Sequence, residues 1–462
     1  MKKNDKVIAK CIDYTYDGMG IVKVDGFCLF VKNLLLDEEA EIVVTKLQKD
    51  YGYGKVLKLL KTSDERVTPK CSLFPQCGGC QLQHFSAKHQ AEFKRKMVQQ
   101  AISHIGKLDI EVNDVLSMDD PWKYRNKMQV PVQVDNDGKS VIGFYRTHSH
   151  VILPLTYCEI QSDIANRIVK SIQMLMDSYG NASYFRHLLL KTQEKTNEIM
   201  VVFVTNQKNV PNLDKMARAL HEEYDSICSI LQNVNGKDTN VILSDEEYVL
   251  YGKNYVVGKL QEFKFQIASR SFFQINPVQT ELLYETAIRL AEIDNTCKVA
   301  DVYCGVGTIS MFLAKYAKEV VGIEIVPQAI ENAKENARNN GITNVSFMCG
   351  DAKHCTVQLA KQNYKIDVAV VDPPRKGCDT TTLDSLIEMN PKRIVYVSCN
   401  PSTLARDLRY LEDRNYKTQV VQPVDMFPQT YHVESIVCLS REKADDYVRI
   451  SVHTKDLQTN SN

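Results

Sequence analysis

From residue 276 onward the chain repeats one rhythm: an apolar run, a tight turn, then a helical stretch. KVADVYCGVGTISMFLAKYA, EVVGIEIVPQAIENAKENARNNG, VSFMCGDA, IDVAVVDPPRKG and RIVYVSCNPSTLARDLRYL follow one another in this way. Runs as apolar as these need cover on both faces, and helices packed on either side of a parallel sheet supply it. The rhythm predicts a doubly wound, Rossmann-like α/β domain over residues 276–446, with a polar, flexible tail over 447–462.

Two further units precede it. Residues 1–61 are short strands broken by glycine turns (VIAKCIDY, GIVKVDGFCLFV, EAEIVVTKL, GKVLKLL). That spacing suits a small β-barrel or another small antiparallel β-domain. Residues 62–275 mix alternating runs such as KMQVPVQV with helical ones such as IANRIVKSIQMLMDSYG, an α+β pattern. Ser86 stands where a helix through SAKHQAEFKRKMVQQAISHI needs its N-cap.

Composition narrows the setting. No run approaches the roughly 18 apolar residues of a membrane span. The first residues mix charge into every apolar run, unlike a signal peptide, so a cytoplasmic location is expected. There the 14 Cys read as metal ligands or reactive thiols rather than disulfides. Lys+Arg and Asp+Glu both number 57, which taken alone speaks against nucleic acid. The sum conceals an asymmetry, since residues 1–100 carry 17 basic and 12 acidic side chains and the remainder 40 and 45.

Asp301-Val302-Tyr303-Cys304-Gly305-Val306-Gly307 closes the first strand of the predicted sheet. Small residues there let backbone approach a ligand at the crevice. Ser310 occupies the third glycine position, so the dinucleotide fingerprint is incomplete. Glu324 follows at the end of the next strand, 23 residues beyond Asp301, placed to accept hydrogen bonds from ribose hydroxyls. The third and fourth strands end in Gly350-Asp351 and Asp372-Pro373-Pro374. Carboxylates at four successive strand ends suit a cofactor with ribose and adenine but no pyrophosphate, namely S-adenosylmethionine.

Val397-Ser398-Cys399-Asn400-Pro401 ends the fifth strand on the same rim. A lone Cys is usually an inert hydrophobe, but Asn-Pro stops this strand and turns the thiol toward the crevice. His432-Val433-Glu434-Ser435 leads into SIVCL, read as an antiparallel edge strand. Thiol, carboxylate and methyl donor together fit C5 methylation of uracil, whose C5 is too weak a nucleophile unaided. Thiolate addition at C6 gives C5 carbanion character, and a base then removes the C5 proton. Arg375 after Asp-Pro-Pro, where an aromatic residue would stack an amino-bearing base, argues against N-methylation.

Cys71, Cys77, Cys80 and the distant Cys158 suit tetrahedral zinc or a [4Fe–4S] cluster. The spacing favours iron–sulfur, because zinc sites prefer paired CxxC knuckles. It differs from the CxxxCxxC of radical enzymes, and a fourth Cys would close the cluster.

Together these residues resemble the TrmA/RumA family of RNA (uracil-5-)-methyltransferases over nearly the whole chain. The resemblance implies that residues 1–61 form a TRAM-type RNA-binding barrel and that Cys71, Cys77, Cys80 and Cys158 ligate a [4Fe–4S] cluster. Ser271-Phe272-Phe273-Gln274-Ile275-Asn276-Pro277 matches the family's FxQ-N segment. It implies cofactor contacts at Gln274, Tyr303, Glu324, Asp351 and Asp372, and substrate contacts at Phe272, stacking on the target base, and at Arg125. Cys399 is the implied nucleophile and Glu434 the implied proton acceptor. Thr308 and Tyr303 depart from residues common in the family. The cluster resembles the 23S rRNA branch more than the tRNA branch, and no membrane or obligate protein partner is expected. A tRNA substrate, a non-catalytic RNA-binding protein and a C5-cytosine methyltransferase are the alternatives. The last would carry a second catalytic Cys where this chain has Asp-Pro-Pro-Arg.

Overall fold

The computed structural model describes residues 1–441, so the expected tail lies outside the described residues. Lys6–Tyr14, Gly20–Val24, Phe27–Lys32, Glu39–Leu47 and Tyr51–Lys61 close into a five-stranded barrel, resolving the two readings of this segment. Alternation fills its interior with Cys11, Val22, Leu29, Val31, Ile42 and Val44. Gly54 has no room for a side chain, since a Cβ would meet the Ile42 Cγ2 at 2.5 Å.

Ser86 caps the helix Ala87–Gln100, accepting from the His89 amide at 3.1 Å. Its aromatic and polar residues hold the barrel: the Tyr14 hydroxyl meets the His89 Nε2 at 2.7 Å, and Tyr14 packs on Phe85 and Phe93. Glu38, fully buried, accepts from the Arg66 Nε at 2.6 Å across the barrel's exit.

The central unit is a seven-stranded mixed sheet, with Glu198–Thr205 and Phe185–Gln193 at its middle. Helices Asp163–Tyr179 and Leu213–Glu223 pack on one face. Its other face shares a core with the hairpin Tyr255–Leu260 and Phe263–Ala268, with Val299 and Val320 of the C-terminal sheet, and with Ile309 of the helix Thr308–Ala314. The central and C-terminal units are thus joined by one apolar cluster.

The C-terminal sheet runs Val345–Cys349, Glu319–Glu324, Lys298–Val302, Val368–Val371, Arg393–Ser398, Glu434–Arg441, Tyr416–Val424. The first five strands are parallel, as the apolar rhythm predicted. Glu434–Arg441 is antiparallel, yet it is not the edge. It lies between Arg393–Ser398 and Tyr416–Val424, the latter taking the edge. The physical reason is visible in its burial: Glu434 through Leu439 are all covered, as an interior strand must be. Among the described residues no helix is long and apolar enough to cross a membrane.

Candidate active site

Strand order reverses between Lys298–Val302 and Val368–Val371, where a doubly wound sheet opens a crevice beyond its carboxyl ends. A cavity of about 1190 Å³ occupies that place. On one side it is lined by Tyr303, Glu324, Asp351, Asp372 and Gln274, and on the other by Arg125, Phe272, Cys399 and Glu434. The structure therefore gathers these nine residues around one space, and leaves Asp301, the remaining strand-end carboxylate singled out from the sequence, outside its lining.

The turn after the first strand shapes the cofactor side. Tyr303, Gly305 and Gly307 have φ of 73°, 56° and 79°. A Cβ at Gly307 would press Phe347 and Ala333 at 3.1 Å, and its φ of +79° disfavours any L side chain, so glycine suits the position. Tyr303 is held in its left-handed conformation by its amide, which donates to the Ile323 carbonyl at 2.9 Å. Glu324 is aimed by two amides, Val326 N at 2.9 Å and Gly305 N at 3.2 Å, one on each carboxylate oxygen. Asp351 caps the helix Ala352–Lys361, accepting from Lys353 N at 3.1 Å.

Asp301 departs from the sequence reading. Its side chain is buried beneath the cavity rather than lining it, with one oxygen accepting from the Ser310 hydroxyl at 2.5 Å. The other oxygen is buried without a partner. Burial raises this carboxyl to about 7.

Asn276 explains the segment that carries Gln274 and Phe272. It caps the helix Pro277–Ala291 through Gln279 N at 3.2 Å and donates to the Met426 carbonyl at 3.2 Å. Asn126 donates to the Gln274 carbonyl at 2.9 Å, while buried Lys191 bridges the Ala268 and Ser271 carbonyls at 2.6 and 2.8 Å. Phe272, projecting from this fixed loop, is 72% exposed at the rim.

Cys399 and Glu434 are brought together by strand register. Ser398 pairs with Ser435 as the last rung of the antiparallel ladder, so Cys399 and Glu434 follow directly at the same rim, where both line the cavity. Burial and the Glu434 carboxylate push the Cys399 thiol up to about 11, while Arg375 opposes the rise. Burial holds Glu434 well above the usual carboxylate range, reinforced by Asp372 and opposed by Arg375. Asp372 is itself raised to about 7 by burial and by Asp301. A carboxylate kept this basic can accept a carbon-bound proton.

Arg375 is the residue that sequence reasoning undervalued, having used it only against N-methylation. It is the cation acting on both Cys399 and Glu434. Asn400 and Thr403 donate to its carbonyl at 3.0 and 3.2 Å, fastening the Asp-Pro-Pro-Arg loop to the Cys399 turn. Its neighbours in sequence, Asp372-Pro373-Pro374, were the available signal.

Cys71, Cys77, Cys80 and Cys158 line a second, smaller cavity of about 40 Å³. Burial raises Cys80 to about 12 and Cys158 to about 11. Gly79 and Arg125 line this cavity and the catalytic one alike. Among the described residues no group of three or more His, Cys, Asp or Glu side chains is arranged to hold a metal ion, so the structure brings the four thiols to one cavity but does not show the expected cluster.

Known proteins match this architecture. RNA methyltransferases of Halalkalibacterium halodurans and Oceanobacillus iheyensis, both named as uncharacterized, are 44% and 45% identical. They match over 448 and 450 residues, each 95% of this chain and 98% and 97% of theirs. The crystal structure of the Pyrococcus abyssi tRNA (uracil-54, C5)-methyltransferase in complex with S-adenosyl-L-homocysteine superposes with a TM-score of 0.74 at 27% identity. That match covers 93% of this chain and 99% of the other. A profile of the tRNA (uracil-5-)-methyltransferase family matches residues 86–442, and the chain belongs to that family of RNA methyltransferases.

Proposed function

We propose that this enzyme transfers the methyl group of S-adenosylmethionine to C5 of a uridine in RNA, with Cys399 as nucleophile and Glu434 as base. The observation that carries the reading is the pair Cys399 and Glu434 within one cavity with Glu324 and Asp372. The Cys399 thiolate bonds to C6, and the charge spreads to C5 and O4 of the ring. C5 then takes the sulfonium methyl, releasing S-adenosylhomocysteine. Glu434 removes the C5 proton, the C6–S bond breaks and the ring double bond returns. Arg375, the cation beside both groups, favours the thiolate and the enolate charge. Gln274, Tyr303, Glu324, Asp351 and Asp372 are proposed to hold the methyl donor, and Phe272 and Arg125 the flipped uridine.

RNA containing 5-fluorouridine, which has no C5 proton to lose, tests this reading. A stable protein–RNA adduct is expected with the enzyme and none with Cys399→Ala. An adduct that persists in that variant sinks the assignment.

The proposed RNA is 23S rRNA, on the resemblance carried by the cysteine spacing. The Pyrococcus protein supports a tRNA substrate instead. Its match leaves about 32 residues of this chain uncovered (7% of 462), fewer than the 61 of the barrel unit, so possession of a barrel does not separate the two branches. Mapping 5-methyluridine in tRNA and 23S rRNA from a deletion strain decides between them: loss from rRNA is expected.

Cys71, Cys77, Cys80 and Cys158 are proposed to hold a [4Fe–4S] cluster. A cubane spaces four thiolates more widely than the roughly 3.8 Å implied by a single zinc ion with 2.3 Å bonds, which suits thiols that share a cavity without closing on one point. Such a cluster would bring down thiol pKa values that burial has raised, and it would brace the Arg125 loop; no step of the reaction passes through it. Anaerobic purification should give a brown protein carrying iron and sulfide. A colourless, zinc-loaded protein contradicts the assignment.

A further inference from the structure

Tyr16 is 73% exposed, more than any other large apolar or aromatic side chain among the described residues. It does not hang from a loose loop. The turn that carries it is closed by Thr15, whose hydroxyl donates to Asp17 at 2.5 Å and accepts from Met19 N at 3.0 Å. Gly18, at φ +82°, lies over Leu82, where a Cβ would come within 2.7 Å. The ring is therefore presented outward by a fixed scaffold.

What it faces belongs to the other end of the chain. The Tyr16 and Tyr431 centroids stand 6.1 Å apart, Tyr431 and His432 4.3 Å, and His432 and Phe427 6.0 Å. His432 and Phe427 line the catalytic cavity, and Glu434 is two residues beyond His432. Burial, aided by Arg375 and other nearby cations, lowers His432 to about 4, so the ring is neutral at working pH. The barrel carries a second group of rings. Phe30 and Tyr51 stack at 5.1 Å, and Tyr53 meets them edge-on at 5.9 and 5.8 Å. The Tyr53 phenol is raised chiefly by its Tyr51 neighbour. Strand register sets exposed lysines around these rings: Lys32 opposite Lys55, and Lys46 opposite Tyr53.

Aromatic rings in sequence, flanked by cations, form a stacking platform for unpaired nucleotides. We propose that Tyr16, Tyr431, His432 and Phe427 form a track that stacks the unpaired bases next to the target uridine, and that Phe30, Tyr51 and Tyr53 extend it along the barrel. The proposal rests on the reading of the chain as an RNA uracil methyltransferase. The barrel then threads the strand toward Cys399 as single-stranded RNA, whatever the sequence of the flanking bases.

The test compares the full-length enzyme with Tyr16→Ala, Tyr431→Ala and the double variant Tyr51→Ala/Tyr53→Ala. Binding is read by fluorescence anisotropy, without S-adenosylmethionine, on two RNAs that share one target uridine, one with single-stranded flanks and one with flanks paired into duplex. Each variant should bind the single-stranded RNA on the order of tenfold more weakly. The loss should fall on KM more than on kcat, leave S-adenosylmethionine affinity unchanged, and be restored by Tyr16→Phe. The duplex-flanked RNA should not register the substitutions. Tyr431 is half-buried, so Tyr16→Ala and the double variant carry the test where Tyr431→Ala fails to fold. Equal affinity of Tyr16→Ala and wild type for the single-stranded RNA overturns the track, as does equal weakening on both RNAs. The parent reading fails separately, if wild-type enzyme forms no adduct with the 5-fluorouridine version of either RNA.

Discussion

A thiol held at about 11 is a poor nucleophile at neutral pH, and the side chains around Cys399 say what sets that value. Burial comes first, then the Glu434 carboxylate, with Arg375 pulling the other way. In the free enzyme, alkylation of Cys399 by iodoacetamide should therefore climb steadily from pH 7 toward 11. Glu434→Gln removes a negative neighbour once that carboxyl has ionised and should then speed alkylation, toward the alkaline end of this range, by on the order of threefold, although it abolishes turnover. Arg375→Ala should slow it comparably. Mass-spectrometric labelling of the Cys399 peptide reads both, and a Glu434→Gln rate below wild type contradicts the pairing. Asp301 offers a second case. Its folded pKa of about 7 lies above its ordinary 3.8, so the folded state holds a proton that the unfolded chain has already lost. That contribution is favourable at low pH and disappears as pH rises through 7. Asp301→Asn, neutral at every pH, should leave stability near wild type at pH 4 and raise it by on the order of 2 kcal/mol at pH 8. A gain in Tm that does not grow with pH rules this account out.

At the scale of elements, one short segment does several things at once. Asn400 caps the helix Pro401–Glu412 by accepting from Ser402 N at 3.0 Å, and its amide donates to the Arg375 carbonyl at 3.0 Å. Asn400→Ala should cost about 1 kcal/mol for the cap. It should also lower kcat on the order of tenfold by releasing the Arg375 loop from the thiol, which Asn400→Asp, retaining the cap but not the donor, separates: stability returns and activity does not. Much of this level was readable in advance. The apolar runs marked the parallel strands, Ser86 marked its helix, and the strand-end carboxylates and Cys399 pointed to one rim, because local periodicity and turn chemistry act within a few residues. What local pattern lacks is partner choice. SIVCL read as an edge strand, and only the pairing of Tyr416–Val424 outside it makes it interior. Asp301 read as a cavity residue because a strand end tells which rim a side chain is near, not whether Ser310 turns it inward.

Across the whole molecule, the parts are fixed relative to one another by polar contacts between residues remote in sequence, which no periodicity could have announced. The segment 425–432, which leads to Glu434, is anchored to the first half of the chain. Gln81 and Leu82 amides donate to the Gln429 carbonyl at 2.9 and 3.0 Å, and Gln90 exchanges hydrogen bonds with Gln429 at 3.0 and 2.9 Å. The Tyr124 hydroxyl donates to the Pro428 carbonyl at 2.9 Å. At the centre is Lys94, fully buried, with its ammonium 2.5 Å from the Asp425 carboxylate and 3.2 Å from the Phe427 carbonyl. Burial lowers the Lys94 pKa and the Asp425 charge restores part of it. Removing one partner strands the other charge, so Lys94→Ala should destabilise the protein by about 3–5 kcal/mol. Lys94→Met/Asp425→Asn, which removes both charges at similar volume, should recover most of that loss. If the pair also sets the approach of the Tyr431–Glu434 segment to the cavity, the double variant should be stable yet show a raised KM for RNA, because the Phe427 carbonyl has lost its tether. Urea unfolding and steady-state kinetics on the same preparations separate the two roles. A double variant as unstable as Lys94→Ala contradicts the electrostatic account, and one with wild-type KM confines Lys94 to stability alone.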